Sequence, residues 1–121
     1  MTPPIFPTCA ADPGVTALLG TLPTRLYPFG KAPAGVALPY AVWRTVTGAP
    51  ENYLADRPDI DGATLQVDVY AATPGDATAV AEALRDAIEL KAHIVRWGGD
   101  DTDPETSHYH VAFDVDWWVP R

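Results

Sequence analysis

From His108 to Val119 the chain alternates. Tyr109, Val111, Phe113, Val115, Trp117 and Val119 fall on one side, and His108, His110, Ala112, Asp114, Asp116 and Trp118 on the other. A period of two predicts a long strand with one apolar and one polar face. The same pattern recurs at 65–71, where Leu65, Val67, Val69 and Ala71 alternate with Gln66, Asp68 and Tyr70. Tyr40–Thr47 also reads as strand. There Tyr40, Val42 and Val46 alternate with Ala41, Trp43 and Thr45, and Arg44 interrupts the first set. The strands at 40–47 and 65–71 are expected to pair antiparallel around a polar loop spanning 49–62.

One segment follows a different period. Thr73-Pro74-Gly75-Asp76 has a capping residue, a proline at the first helical position and an acid three residues after the cap. The helix it opens is expected to run to about Leu90. Ala77, Val80, Ala81, Leu84, Ala87 and Ile88 form a stripe with spacings of three and four, and Glu82, Arg85, Asp86 and Glu89 point outward. Asp12-Pro13-Gly14 and Gly20 bracket a shorter helix at 13–19, with an irregular or helical turn before it. Arg25–Pro28 is expected as a short strand, 30–38 as loop, and Ala92–Trp97 as strand. Gly98–Pro104 reads as a turn-rich connection. The fold class expected is α+β: a single domain over residues 1–121, with a mostly antiparallel sheet and one main helix, about 74–90, on its apolar face.

Composition narrows the function. At 121 residues the chain has the length of one domain, and 47% hydrophobic content suffices for a core. No apolar run approaches the roughly 18 residues of a membrane helix, and no signal peptide is visible. Cys9 is the lone cysteine, so an internal disulfide and a multi-cysteine zinc site are both ruled out. The reducing cytosol is the default compartment. Ten of the thirteen prolines lie in the first 58 residues, which predicts short elements there. The net charge of −8 is uneven. Residues 1–48 hold one acid against three bases, and residues 49–121 hold fifteen acids against five. Such a chain is a poor grip for phosphate backbones, yet a negative wall lets nucleic acid pass without sticking.

Site chemistry is sparse. His108 and His110 share a strand face and could ligate one metal, but no third ligand is evident within reach; the ordinary reading is a solvated polar face. The acids at 56, 59 and 61, and at 100, 101, 103 and 105, lack the spacing of a calcium loop and read as acidic surface. There is no phosphate loop and no nucleophile elbow. No enzyme, cofactor or metal is expected. Trp118 stands out: if Trp117 is core, Trp118 lies on the polar face and needs a cover, either the N-terminal segment or another subunit. Tyr70 and Trp43 raise the same question.

Several fragments occur in a telling order. Ala17-Leu18-Leu19-Gly20 ends the first helix, followed by Arg25-Leu26-Tyr27-Pro28. Ala37-Leu38-Pro39-Tyr40-Ala41-Val42-Trp43 and Val46-Thr47-Gly48-Ala49-Pro50 come next. Leu65-Gln66-Val67-Asp68-Val69-Tyr70-Ala71 then leads into an alanine-rich helix, and the chain ends with Phe113-Asp114-Val115-Asp116-Trp117-Trp118. Over roughly residues 12–119 this resembles the tail-completion proteins, or tail terminators, of long-tailed bacteriophages. The proline-rich first ten residues depart from the family's usual helical start.

The resemblance implies a structural virion protein of the tail or neck, assembled in the host cytoplasm, without catalysis, cofactor or membrane. Its partners would be further copies of itself in a hexameric ring, the tail tube protein, and the head-tail connector or stopper protein. DNA would pass through the centre. Tyr53, Leu54, Arg57 and Trp118 are then candidates for the oligomer or tube interface. Asp56, Asp59, Asp61, Asp100, Asp101 and Asp103 are candidates for an acidic lumen. A neck adaptor of related fold is the alternative, and a small metal-dependent enzyme a more distant one.

Overall fold

A computed structural model describes residues 3–21, 23–51, 60–102 and 106–120. The elements run α1 (Ile5–Ala10), α2 (Pro13–Leu19), β1 (Leu26–Pro28), β2 (Tyr40–Glu51), β3 (Ile60–Ala71), α3 (Pro74–Ile88), β4 (His93–Thr102) and β5 (Tyr109–Pro120). Among the described residues five strands form one sheet in the order β1-β2-β3-β5-β4. In it β1 and β2 pair parallel and the other described neighbours pair antiparallel. The expected α+β fold, with a mostly antiparallel sheet under one main helix, is the fold observed.

The helices gather on one face of the sheet. The whole predicted stripe of α3, from Ala77 to Ile88, is buried, as are Leu65, Val67, Val69, Val111, Phe113 and Val115 beneath it. Ile5, Cys9, Val15 and Leu19 bring α1 and α2 into the same core. Local chemistry sets the helix ends. The Thr73 hydroxyl accepts from the Asp76 amide at 3.1 Å, and the Asp12 carboxylate accepts from the Gly14 and Val15 amides. These bonds satisfy amides that no helical carbonyl can reach. Gly20, at φ +80°, stops α2 in a conformation that favours glycine. The Arg25 guanidinium then donates to the Leu18 carbonyl and to the Pro39 carbonyl, tying the end of α2 to the entry of β2.

Three expectations need correction, and one is resolved. The segment before α2, expected as an irregular or helical turn, is helical from Ile5 despite its prolines. Pro7 falls in the first turn, where the missing N–H would have had no partner anyway. The loop expected at 49–62 is shorter, because Ala49 pairs with Gly62, Pro50 with Asp61 and Glu51 with Ile60. The short β1 covers only Ala41–Trp43, so Pro50 lies on an edge, where a missing donor is tolerated. The turn-rich stretch at 98–104 is strand through Thr102. Finally, Trp43 needs no cover of its own, because it shares the core side of β2 with buried Ala41 and packs against the core.

Strand β4 is the irregular edge. Its register against β5 slips once between Ile94 and Arg96 and again between Trp97 and Asp100. Each slip inserts one residue and turns the rest of the strand over. Gly98 sits in the second slip, where a Cβ would stand 2.4 Å from the Ala112 carbonyl oxygen. No residue with a side chain fits there without moving the backbone. Trp97 stays on the helix side, stacked on Phe113 at 5.2 Å between ring centres, with the Arg85 guanidinium 5.5 Å above it.

Candidate functional site

With the helices on one side, the other face of the sheet is left open, and the register sorts its side chains into cross-strand rows. Tyr40, Tyr70, His110 and Asp101 stand opposite one another across β2, β3, β5 and β4. Val42, Asp68 and Ala112 form the next row, and Arg44, Gln66, Asp114 and Arg96 the one after. Thr64, Asp116 and His93 follow, and then Gly62 opposite Trp118.

The rows are joined by hydrogen bonds. Arg96 binds Asp114 at 2.8 Å and 3.3 Å, Thr64 donates to Asp116 at 2.7 Å, and Arg44 donates to Gln66 at 3.0 Å. The Gln66 amide in turn donates to Asp68 at 3.1 Å. His110 is the centre of the densest cluster. Its Nε2 lies 2.7 Å from Asp68 and its Nδ1 2.8 Å from Asp101. Ala112, the small residue opposite Asp68, leaves room for this diagonal contact. Tyr70 stacks on the imidazole at 4.9 Å, and Tyr40 stacks on Tyr70 at 5.2 Å. Burial disfavours the imidazolium, but the two carboxylates outweigh it and the His110 pKa is raised.

This geometry does not converge on a metal. The two carboxylates bind opposite nitrogens of one ring, so they cannot share an ion with a single imidazole nitrogen. Among the described residues no group of three or more His, Cys, Asp and Glu is placed to hold one. A shallow pocket of about 270 Å³ lies beside the cluster, lined in part by Phe29, Tyr40, Val42, Arg44, Asp68 and Tyr70. On the helix side, Cys9 is buried, and burial, helped by Asp12, pushes its thiol pKa up to about 12. It is a core residue without nucleophilic character.

The candidate interface and lumen residues are scattered. Tyr53, Leu54, Asp56, Arg57, Asp59 and Asp103 lie outside the described residues. Trp118 is on the open face, 44% exposed, with the edge of His93 against it at 5.4 Å. The N-terminal segment is not its cover, because α1 and α2 pack on α3 at the other side of the sheet. Asp61 pairs with Val119, and Asp101 pairs with His110. Nine residues of β5 separate these partners, about 30 Å at the strand rise. Asp61 and Asp101 therefore mark opposite ends of the sheet.

Sequence periodicity placed Asp68 and His110 on polar faces, but it could not place Asp101. That residue reaches His110 only because β4 is bulged twice. The adjacent glycines Gly98 and Gly99 inside an alternating segment were the available signal.

Comparison with known proteins agrees with this architecture. A search of curated protein sequences gives no match. Among solved structures, a chain of the virion of a native gene transfer agent particle superposes with a TM-score of 0.66. The two share 17% sequence identity over 97% of this chain and 92% of that one, which establishes a common fold. The family model described as tail completion protein gp17 matches residues 3–120. The chain therefore belongs to the tail completion protein gp17 family and is a structural protein of the virion tail.

Proposed function

We propose that this chain forms a ring on the last ring of the tail tube, ends tube growth, and joins the tail to the head connector while DNA passes through its centre. The family match over residues 3–120 carries the reading. Three features of the fold support it. The described helices lie on one side, so a broad polar face and two sheet edges remain for neighbouring subunits. Trp118 offers a large exposed ring on that face, the kind of residue that anchors an interface. The acid surplus disfavours adhesion to DNA.

The acids are proposed to act at two rims. Asp100 and Asp101 belong to one end of the sheet and Asp61 to the other; Asp56, Asp59 and Asp103 are proposed to act with them. If the strands run along the hole, both groups meet passing DNA; if they run across it, only one group does. Tyr53, Leu54 and Arg57 are proposed to contact a neighbour or the tube. The ring is taken as a hexamer, and the role needs no catalytic step.

Deletion of the gene, with a plasmid copy supplied in parallel, tests the role. Electron micrographs of the deletion lysate should show overlong tails without heads, and the plasmid copy should restore normal particles. Tails of normal length that fail to attach would instead identify a neck adaptor. Intact particles from the deletion strain would overturn both readings.

A further inference from the structure

We infer that His110 is a proton-dependent clasp that fastens the far end of edge strand β4 to the middle of the sheet, holding Asp101 when both ring nitrogens carry protons and releasing it when one is lost. The clasp belongs to the single chain and operates whether or not chains assemble into a ring.

A carboxylate can only accept, so His110 can satisfy both Asp68 and Asp101 only with N–H groups on both nitrogens. That species is the imidazolium. A neutral ring keeps one N–H and turns a lone pair toward the other carboxylate at under 3 Å. One contact must then break.

The surroundings decide which one. Asp68 is 15% exposed and is also held by the Gln66 amide, whereas Asp101 is 68% exposed and sits on the edge strand. Water can take over the hydrogen bonds of Asp101 cheaply, and those of Asp68 only at the cost of opening the sheet. The remaining proton therefore stays on Nε2, and Asp101 leaves Nδ1.

The other charges near His110 do not replace the clasp. From β3 the ring meets Asp68 and Tyr70, with Tyr40 of β2 beyond Tyr70. From β4 it meets Asp101. Along β5 its nearest ionisable neighbours are His108 and Asp114, and Asp114 is taken by Arg96. Arg44 is turned to Gln66. Among the described residues no other cation stands between the two carboxylates.

The sign of the pH effect follows. The folded pKa is raised above the ordinary value of about 6.5, so the stabilisation is complete below that value. It is lost as pH rises through the raised pKa. The change is local, because β4 holds an outer edge while β3 and β5 lie inside the sheet.

Nitrogen-resolved NMR of the full chain between about pH 5.5 and about pH 9 tests the clasp. Hydrogen-exchange protection is read in the same range, after correction for intrinsic rates. Through the His110 titration Nδ1 should lose its proton while Nε2 keeps it. Protection at residues 100–102 should fall at least about tenfold, while Val67 and Val69 hold theirs. In Asp101→Asn, an exposed change that leaves the core untouched, the fall should vanish and His110 should titrate at lower pH. His110→Gln should also abolish the step. Loss of the proton from Nε2 instead would overturn the inference. So would flat protection at 100–102 in the wild type, or an equal fall in both variants.

Discussion

Cys9 and His110 are both titratable and partly or wholly withdrawn from water, yet they carry opposite consequences. Cys9 has apolar neighbours and a nearby acid, so its thiolate is disfavoured twice. A thiol reagent at about pH 8 should label the native chain at least about a hundredfold more slowly than the urea-unfolded chain. Equal rates would show that α1 opens readily. His110 has two carboxylates, and they hold a charge that burial alone would remove. Both residues are plain in the sequence, but their environments are not. Cys9 reads as a thiol between Pro7 and a short helix, in a proline-rich lead. His110 looked like half of a histidine pair, whereas its partners come from 42 residues before it and 9 residues before it. Only the register of three strands brings those together. Trp118 was legible as an interface candidate because alternation alone separates it from Trp117.

At the scale of the elements, period and punctuation carried most of the fold. The α3 stripe, the α2 helix bounded by Asp12 and Gly20, and the core face of β5 follow from spacings of three, four and two with a capping residue at the start. Leu84→Ala should cost about 2–5 kcal/mol in urea unfolding, because Leu84 is fully enclosed between helix and sheet. A cost under about 1 kcal/mol would mean that the helix packs loosely on the sheet. The half-legible element is β4. Its first half was expected as strand at Ala92–Trp97, but two inserted residues break the alternation and Gly98-Gly99 mimics a turn, which hid the rest. Gly98→Ala should destabilise the chain by about 1–3 kcal/mol, since the new methyl meets backbone and not a movable side chain. It should also lower hydrogen-exchange protection in β4. A neutral effect on both would show that the second bulge can be redrawn at no cost.

For the whole molecule, the arrangement of layers matters more than any one residue. One face of the sheet is spent on the core. The other presents rows of aromatic, acidic and basic side chains, with Trp118 and His93 near one end and the His110 cluster near the other. The chain's acid surplus is visible from composition alone, and the fold sets Asp61 and Asp101 at opposite ends of the sheet. The family could be read from ordered fragments, none of which is chemical. A structural protein of the tail offers no catalytic motif to read, so the candidate surface is legible only as exposed residues on the polar face.

The central claim is that this chain caps the tail as a single ring. Quantitative mass spectrometry of purified particles, with the tube protein as internal reference, measures that most directly. About six copies per particle are expected for one closed cyclic ring. Absence from the particles, or a copy number rising in step with the tube protein, would contradict it.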